Sequence, residues 1–501
     1  MMNELLVLQN GSDIRGIAIA TEEHQVDLTG DAVRKIASGL IHWLTSNISL
    51  EKGESLKIGV GRDSRLSGEM LANALIESLV EQGVSVIDFG LATTPAMFMC
   101  TQFPQFACHG GVMITASHLP YYFNGLKIFS PKGGAEKEDI HTILTQTTPR
   151  ETVTKGSVET ADVITPYAAD LVEKVRQGIP GKVQQPLQGM KIIVDAGNGA
   201  GGFFAEKVLQ PLGADTTGSQ FLEPDGHFPN HIPNPDNKEA MASIQAAVLN
   251  VGADLGVIFD TDVDRSAVVT KSGNVLNRNN LIAVLSRIVL SEYPGTSIVT
   301  NSPTTDHLKA FIEALGGKQV RYISGYRNVI NKAVALNQAG VDCQLAIETS
   351  GHAAFKENYF LDDGAYVIAK ILMLLPQLKA ENQTLEQMIA QLKQPKETQE
   401  IRFKLEVADY QTLGKQVIAD LAQLVIPGWT VDPENEEGIR FKLSEAFGSG
   451  WFLLRMSLHE PLLVLQIEND EEGNIFKVLE KLHPFLNQYP AVNQTNLLSF
   501  K

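Results

Sequence analysis

The sequence predicts a multidomain α/β protein that closes with an α+β segment, and three observations predict it. The chain has 501 residues, too many for one core, since chains divide into domains of roughly 100–200 residues. Short apolar runs alternate with amphipathic helical stretches along most of the length, as in α/β domains with parallel or mixed sheets. The last ~100 residues change style, with β segments first and helices between and after them, which is an α+β pattern.

Leu56–Val60 and Val84–Phe89 read as buried strands on either side of a helix over Gly68–Gln82. Met190–Val194, Leu255–Phe259 and Ser297–Asn301 repeat the strand pattern, and a helix over His307–Leu315 follows the last of them. In the final segment Ile401–Leu405, Gly450–Ser457 and Leu462–Ile467 are the β candidates. Polar or Pro/Gly-rich breaks fall at 147–159, ahead of a helix around Tyr167–Val175, and at 275–279, after a strand around Ser266–Thr270. A third break lies at 393–398, where Pro395 and charges interrupt. There is no short internal repeat, but the shared style of the first three segments fits divergent duplication.

A hydrophobic content of 44% with 20% charged residues describes an ordinary globular protein. The formal charge of −17 disfavours nucleic acid and anionic membrane as partners. It leaves room for phosphate ligands wherever a local cation reverses the field. Three cysteines, Cys100, Cys108 and Cys343, without CxxC spacing argue against a disulfide framework and a thiolate zinc site. A reducing compartment follows. The first residues lack signal- and transit-peptide patterns. The most apolar stretch, Val367–Leu378, is broken by Lys370 and Pro376. A cytoplasmic protein is expected, and a plastid protein stripped of its transit peptide would read the same.

Residues 111–120 read Gly-Val-Met-Ile-Thr-Ala-Ser-His-Leu-Pro. A buried strand over Val112–Ile114 breaks into a polar loop, so Ser117 is an exposed hydroxyl held by a rigid element. Residues 255–264 read Leu-Gly-Val-Ile-Phe-Asp-Thr-Asp-Val-Asp, with Arg265 next. Asp260, Asp262 and Asp264 repel one another unless a cation sits among them, and oxygen-only ligands suit Mg²⁺. Most short acidic runs are solvated turns, but this one follows a buried strand. An EF-hand is a poor match, since its Gly and Glu positions hold Arg265 and Lys271. An aspartyl-nucleophile phosphatase competes, with Asp260 as nucleophile and Asp262 as acid.

Gly197, Gly199 and Gly202 satisfy GxGxxG after a strand, and Asp215 stands where a ribose-binding acid would. A tight structural turn explains the same glycines. Residues 345–352 read Leu-Ala-Ile-Glu-Thr-Ser-Gly-His. Glu348 and Ser350 can bracket a sugar diol, and His352 can bond the sugar or move a proton. Arg15, Arg62, Arg65, Arg327 and Arg455 recur on small-residue loops, as phosphate sites favour, although each alone reads as a surface charge or ion-pair partner.

Taken in order, these segments resemble the α-D-phosphohexomutase superfamily, the phosphoglucomutase/phosphomannomutase group. The resemblance starts at Ser12-Asp13-Ile14-Arg15-Gly16 and Gly61-Arg62-Asp63-Ser64-Arg65. It continues through Thr94-Pro95, Thr115-Ala116-Ser117-His118 and Asn124-Gly125-Leu126-Lys127. Asn198-Gly199-Ala200-Gly201-Gly202, Pro224-Asp225-Gly226-His227-Phe228-Pro229 and Asn234-Pro235 follow. The aspartate loop, Gly325 with Arg327, and Glu348-Thr349-Ser350-Gly351-His352 complete it. The family carries the Asn-Gly-Ala-Gly-Gly turn without binding a dinucleotide.

The resemblance implies three related α/β domains with mixed sheets plus a smaller α+β C-terminal domain, around a central active-site cleft. Combined with the breaks, it divides the chain at 1–158, 159–277, 278–396 and 397–501. It implies a phosphorylated Ser117 that exchanges its phosphoryl group with a hexose monophosphate through a hexose 1,6-bisphosphate. One Mg²⁺ would be held by Ser117, Asp260, Asp262 and Asp264. Arg15, Lys127 and His352 would move protons or stabilise charge, and Arg265 would hold the transferring phosphate or a catalytic carboxylate. Glu348, Ser350, Gly325 and Arg327 would bind the sugar phosphate, and Arg455, Ser457 and His459 its phosphate. The expected substrates are glucose and mannose phosphates, for a monomer or homodimer. A phosphoglucosamine mutase, or a non-catalytic sugar-phosphate-binding relative, is the alternative. The family pattern Arg-x-Ser-Gly-Thr-Glu-Pro reads Arg-Met-Ser-Leu-His-Glu-Pro at 455–461. Leu458 gives up backbone freedom there, and His459 replaces a hydroxyl with a pH-sensitive ring.

Overall fold

A computed structural model describes residues 4–50, 54–152, 154–181, 183–457 and 460–498. Leu458 and His459 lie outside the described residues. The chain forms two compact units, one of residues 1–281 with 350–388 and one of 282–349 with 389–501.

The first unit holds two mixed sheets. In the larger, Gly110–Ile114, Lys57–Arg62, Ser85–Leu91 and Val158–Thr160 run parallel in that order. Phe123–Ser130 lies antiparallel to Gly110–Ile114 on one side and to Asp13–Ile17 on the other. The register sets Leu126 opposite Ile114 and Ile128 opposite Val112, which places their side chains in the core with Ile14 and Val60. Lys127, opposite Met113, therefore faces the other way. Gly30–Asn47 and Gly68–Glu81 bury their apolar stripes against this core. Thr29 caps the first of these helices by accepting from Ala32 N.

The second sheet orders Val275–Leu276, Ser266–Thr270, Leu255–Phe259 and Ile192–Asp195. Leu255–Phe259 is buried throughout and turns into an antiparallel pair with Ser266–Thr270. The residues between these strands, 260–265, are the acidic loop. The same unit includes the hairpin of Ala353–Phe355 with Leu361–Asp362 and the helix Gly364–Ala380.

In the second unit Lys318–Tyr322, Ser297–Asn301 and Cys343–Ile347 pair in parallel. Helices Asp306–Ala314 and Tyr326–Gln338 connect them. The C-terminal sheet is fully antiparallel, in the order Glu397–Lys404, Leu462–Asn469, Gly450–Met456, Ile439–Leu443 and Trp429–Val431. A mixed α/β chain with a further sheet-rich C-terminal domain is what the alternation of apolar runs predicts. Most element ends shift by a residue or two, as with Asp306–Ala314 against the expected 307–315. Glu397–Lys404, however, starts four residues before the expected 401, inside the expected break at 393–398, and Ile164–Gly178 extends three residues beyond 167–175 at each end. None of the three cysteines forms a disulfide, and all are buried. Among the described residues no helix is long and apolar enough to cross a membrane.

Candidate active site

Ser117 follows the strand Gly110–Ile114 by three residues and adopts φ +52°, in the left-handed region. Its amide donates to Thr115 Oγ1 at 2.9 Å, and Thr115 Oγ1 donates in turn to Asp63 Oδ2 at 2.6 Å. Asp63 is buried, and burial pushes its carboxyl up to about 6 against the pull of Arg65. Below the loop the fully buried Arg65 donates to the carbonyls of Ser117 (2.5 Å), Leu119 (2.6 Å), Pro120 (2.8 Å) and Phe123 (2.9 Å). The residues expected to meet phosphate therefore divide. Arg65 is spent on main-chain carbonyls and forms part of the loop's foundation. Ser117 itself, expected to be exposed, is 2% accessible.

The Ser117 hydroxyl donates to Asp260 Oδ2 at 2.9 Å and accepts from Arg265 Nη2 at 2.9 Å. Arg265 also holds Asp260 Oδ2 through Nε at 3.1 Å and lies 2.7 Å from His118 Nδ1. Burial pushes His118 well below its usual range, and Arg265 and Arg15 push it the same way, so the ring is neutral and its Nδ1 accepts. Burial and the neighbouring Asp264 raise Asp260 well above the usual carboxylate range. Burial opposes charge on Asp264 too, but Lys127, His352 and Arg265 hold it well below that range.

Lys127 reaches the same loop from its strand, donating to Asp262 Oδ2 at 2.9 Å and to Asp264. Thr94, at the start of the helix Thr94–Met99, donates its hydroxyl to Asp262 and its amide to the Asp262 carbonyl. Between the last two aspartates Val263 sits at φ +68°, an unfavourable conformation for a β-branched residue. It turns the two carboxylates to one side. Glycines let the loop pack. A Cβ on Gly199 would lie 2.7 Å from the Thr261 carbonyl oxygen, and one on Gly364 would lie 2.7 Å from the Arg265 carbonyl carbon.

Carboxylate oxygens of Asp260, Asp262 and Asp264 lie within 4.8 Å of one another. Asp262 Oδ1 and Asp264 Oδ1 are buried and accept no hydrogen bond. Buried acceptors left open in this way, in an oxygen-only set, fit a hard divalent cation. His352 Nδ1 lies 2.6 Å from Asp362 Oδ2 and 3.9 Å from Asp264 Oδ1. Burial works against charge on this ring, and the two carboxylates outweigh it, raising it to about 9. Arg15 pairs with Asp13 at 2.8 Å. The first unit thus brings together Ser117, Asp260, Asp262, Asp264, Arg265, Lys127 and His352. Ser350 Oγ, in the same unit, is buried with no hydrogen-bond partner.

In the second unit Gly325 N donates to Glu348 Oε1 at 2.7 Å, which joins two of the expected sugar-binding residues. Arg327 donates to Asn331 Oδ1 at 3.3 Å. Arg455 lies 3.8 Å from Glu437, and Ser457 Oγ accepts from Glu460 N at 3.3 Å. Thr94, Thr115, Asp362 and Glu437 were not singled out as site residues by the sequence. For Thr115 a signal existed, a hydroxyl two residues before the serine on the same turn. Asp362 and Glu437 lie in segments that no motif marks.

Models of the phosphoglucomutase/phosphomannomutase α/β/α domains I, II and III match residues 7–154, 166–273 and 277–395. A phosphomannomutase/phosphoglucomutase of Pseudomonas putida is 32% identical over 90% of this chain and 92% of its own. A phosphoglucomutase of Neisseria gonorrhoeae is 32% identical over 97% of this chain and 96% of its own. The crystal structure of a phosphoglucomutase/phosphomannomutase family protein from Burkholderia thailandensis superposes with a TM-score of 0.79. It is 25% identical and covers 98% of this chain and 99% of that one.

Proposed function

The chain belongs to the phosphoglucomutase/phosphomannomutase family and is a hexose phosphate mutase of the isomerase class; from that premise we propose that a phosphorylated Ser117 interconverts the 1- and 6-phosphates of glucose, mannose or both. The comparisons favour neither a glucosamine mutase nor a non-catalytic relative. One observation carries the reading. The Ser117 hydroxyl is hydrogen-bonded to both Asp260 and Arg265, in the cluster that also holds Asp262, Asp264 and Lys127.

In the first half-reaction the bond between phosphorus and Ser117 Oγ breaks, and one forms to a sugar hydroxyl oxygen. The sugar gives up a proton, Ser117 regains one, and the product is the hexose 1,6-bisphosphate. The second half returns the other phosphoryl group to Ser117. Arg265 stays on the serine oxygen throughout and offsets its charge. His352, held by Asp362 through Nδ1, and Lys127 and Arg15 are the candidates for moving protons or stabilising charge. Asp260, Asp262, Asp264 and the Ser117 oxygen would hold Mg²⁺, which when bound supplies charge neutralisation to the transferring phosphoryl group. Glu348 and Ser350 are assigned to the sugar hydroxyls. Gly325, Arg327, Arg455, Ser457 and His459 are assigned to the phosphosugar. The domain division at 158, 277 and 396 belongs to the same proposal. So do a cytoplasmic location, a monomeric or homodimeric state and the lack of nucleic-acid or membrane partners.

A coupled assay with glucose 1-phosphate, Mg²⁺ and a trace of glucose 1,6-bisphosphate tests the reading. Turnover that vanishes in Ser117→Ala, with phosphate mapped to Ser117 by peptide mass, is the expected result. Full activity in Ser117→Ala would defeat it.

A further inference from the structure

Ser324 and Gly325 present consecutive backbone N–H groups ahead of the helix Tyr326–Gln338, and each donates to a different carboxylate. Gly325 N donates to Glu348, as described, and Ser324 N donates to Glu437 Oε2 at 3.2 Å. Gly325, at φ +113°, has no side chain to cap the helix, so these two glutamates occupy the positive end of its dipole. Glu437 Oε2 also accepts from Ser324 Oγ at 2.7 Å and from Ser302 Oγ. Its other oxygen lies 3.8 Å from Arg455 Nη1. Glu437 is held firmly in this place. Three residues on, the fully buried Arg440 donates to the Ser302 carbonyl at 2.9 Å and to Asp306 at 2.9 Å, and stacks 3.7 Å from the Trp451 ring centroid.

One buried carboxylate therefore bonds the loop that leads to Arg327 and faces, at ion-pair distance, the guanidinium of Arg455, whose Nη1 also donates to the Met456 carbonyl at 3.3 Å. We propose that Glu437 is a positioning residue for phosphosugar binding. It sets the Ser324–Gly325 turn and holds Arg455 in one orientation before a phosphate arrives. This rests on the assignment of Gly325, Arg327 and Arg455 to the substrate. An arginine already oriented loses less freedom when it pairs with a phosphate, so the effect falls on affinity rather than on transfer.

The test is a double-mutant cycle of Glu437→Gln with Arg455→Ala. Affinity for glucose 1-phosphate is read by calorimetry, and KM and kcat by the coupled assay. Glutamine keeps a carbonyl for Ser324 and Ser302 and removes the charge facing Arg455. E437Q is expected to weaken binding and raise KM about five- to tenfold with kcat within about threefold, and to add less than about twofold in the R455A background. An unchanged affinity, or the same loss in both backgrounds, overturns the proposal, since a merely structural role would not depend on Arg455. If E437Q does not fold, Glu437→Asp is carried through the same cycle and judged by the same two outcomes. A wild-type protein that neither turns over nor binds glucose 1-phosphate defeats the functional reading and this inference with it. Additivity in an active enzyme defeats the inference alone.

Discussion

Arg65 and Arg265 are both fully buried, both sit beside aspartates in short loops, and both touch the residue that would carry the phosphate. Arg65 spends its guanidinium on four main-chain carbonyls. Burial pulls its proton affinity down, and Asp63 opposes that only in part. For Arg265 burial acts in the same direction, but Asp260, Asp264 and Asp262 outweigh it and raise the group. Its nitrogens go to a carboxylate, a hydroxyl, the Asn234 amide oxygen and a neutral imidazole. Neutral acceptors make a guanidinium a scaffold. Charged and exchangeable acceptors leave it able to follow a reaction.

The two arginines part most visibly when each is replaced. Arg65→Met strands buried carbonyls and the Asp63 charge, and should cost about 3–5 kcal/mol in denaturant unfolding. Activity per folded molecule should fall less than in the Arg265 variant. Arg265→Ala should lower kcat about 10²–10³-fold, the cost of one preorganised donor on a developing charge. If R265A lost only stability while R65M lost only kcat, the two roles would be reversed. Thr115→Val sharpens the scaffold side. It removes the acceptor for the Ser117 amide and the donor to Asp63, for about 1–3 kcal/mol of stability.

A further expected effect is a pH slope. Asp363 caps the helix Gly364–Ala380 and accepts from Tyr167 and Asn358, and burial raises it to about 6 from 3.8. The folded state then binds more protons than the unfolded one between these values. Stability contributed by the protonated group is full below about 4 and is lost as pH rises towards about 6. Asp363→Asn keeps the cap and should flatten that part of the unfolding free energy against pH. An unchanged slope would show that Asp363 titrates normally.

Much of this was legible in the chain. Apolar runs ending in Ser117 and in Asp260 read correctly as buried strands that deliver polar loops, because strand burial and loop polarity are both local. Spacing at 260, 262 and 264 was enough to propose a shared cation. The contact between Ser117 and Asp260, across 143 positions, came only through resemblance, because no local pattern encodes it. The seat of Arg65 was not legible at all. Its partners are backbone carbonyls, which every residue possesses, so no side chain marks them. Glu437 is unreadable for a related reason, since its donors at Ser302 and Ser324 lie 135 and 113 positions away.

The register around Lys127 bears on how the gene can vary. Phe123–Ser130 is locked between two antiparallel neighbours, with Leu126 and Ile128 turned to the core and Lys127 to the aspartates. A substitution at 127 removes one ammonium. A single-codon insertion or deletion within the strand would put Leu126 or Ile128 against Asp262 and drive the ammonium among Val112, Ile114 and Ile14. Under selection for activity, a library of single-codon length changes should therefore survive in exposed connections and be empty across 123–130.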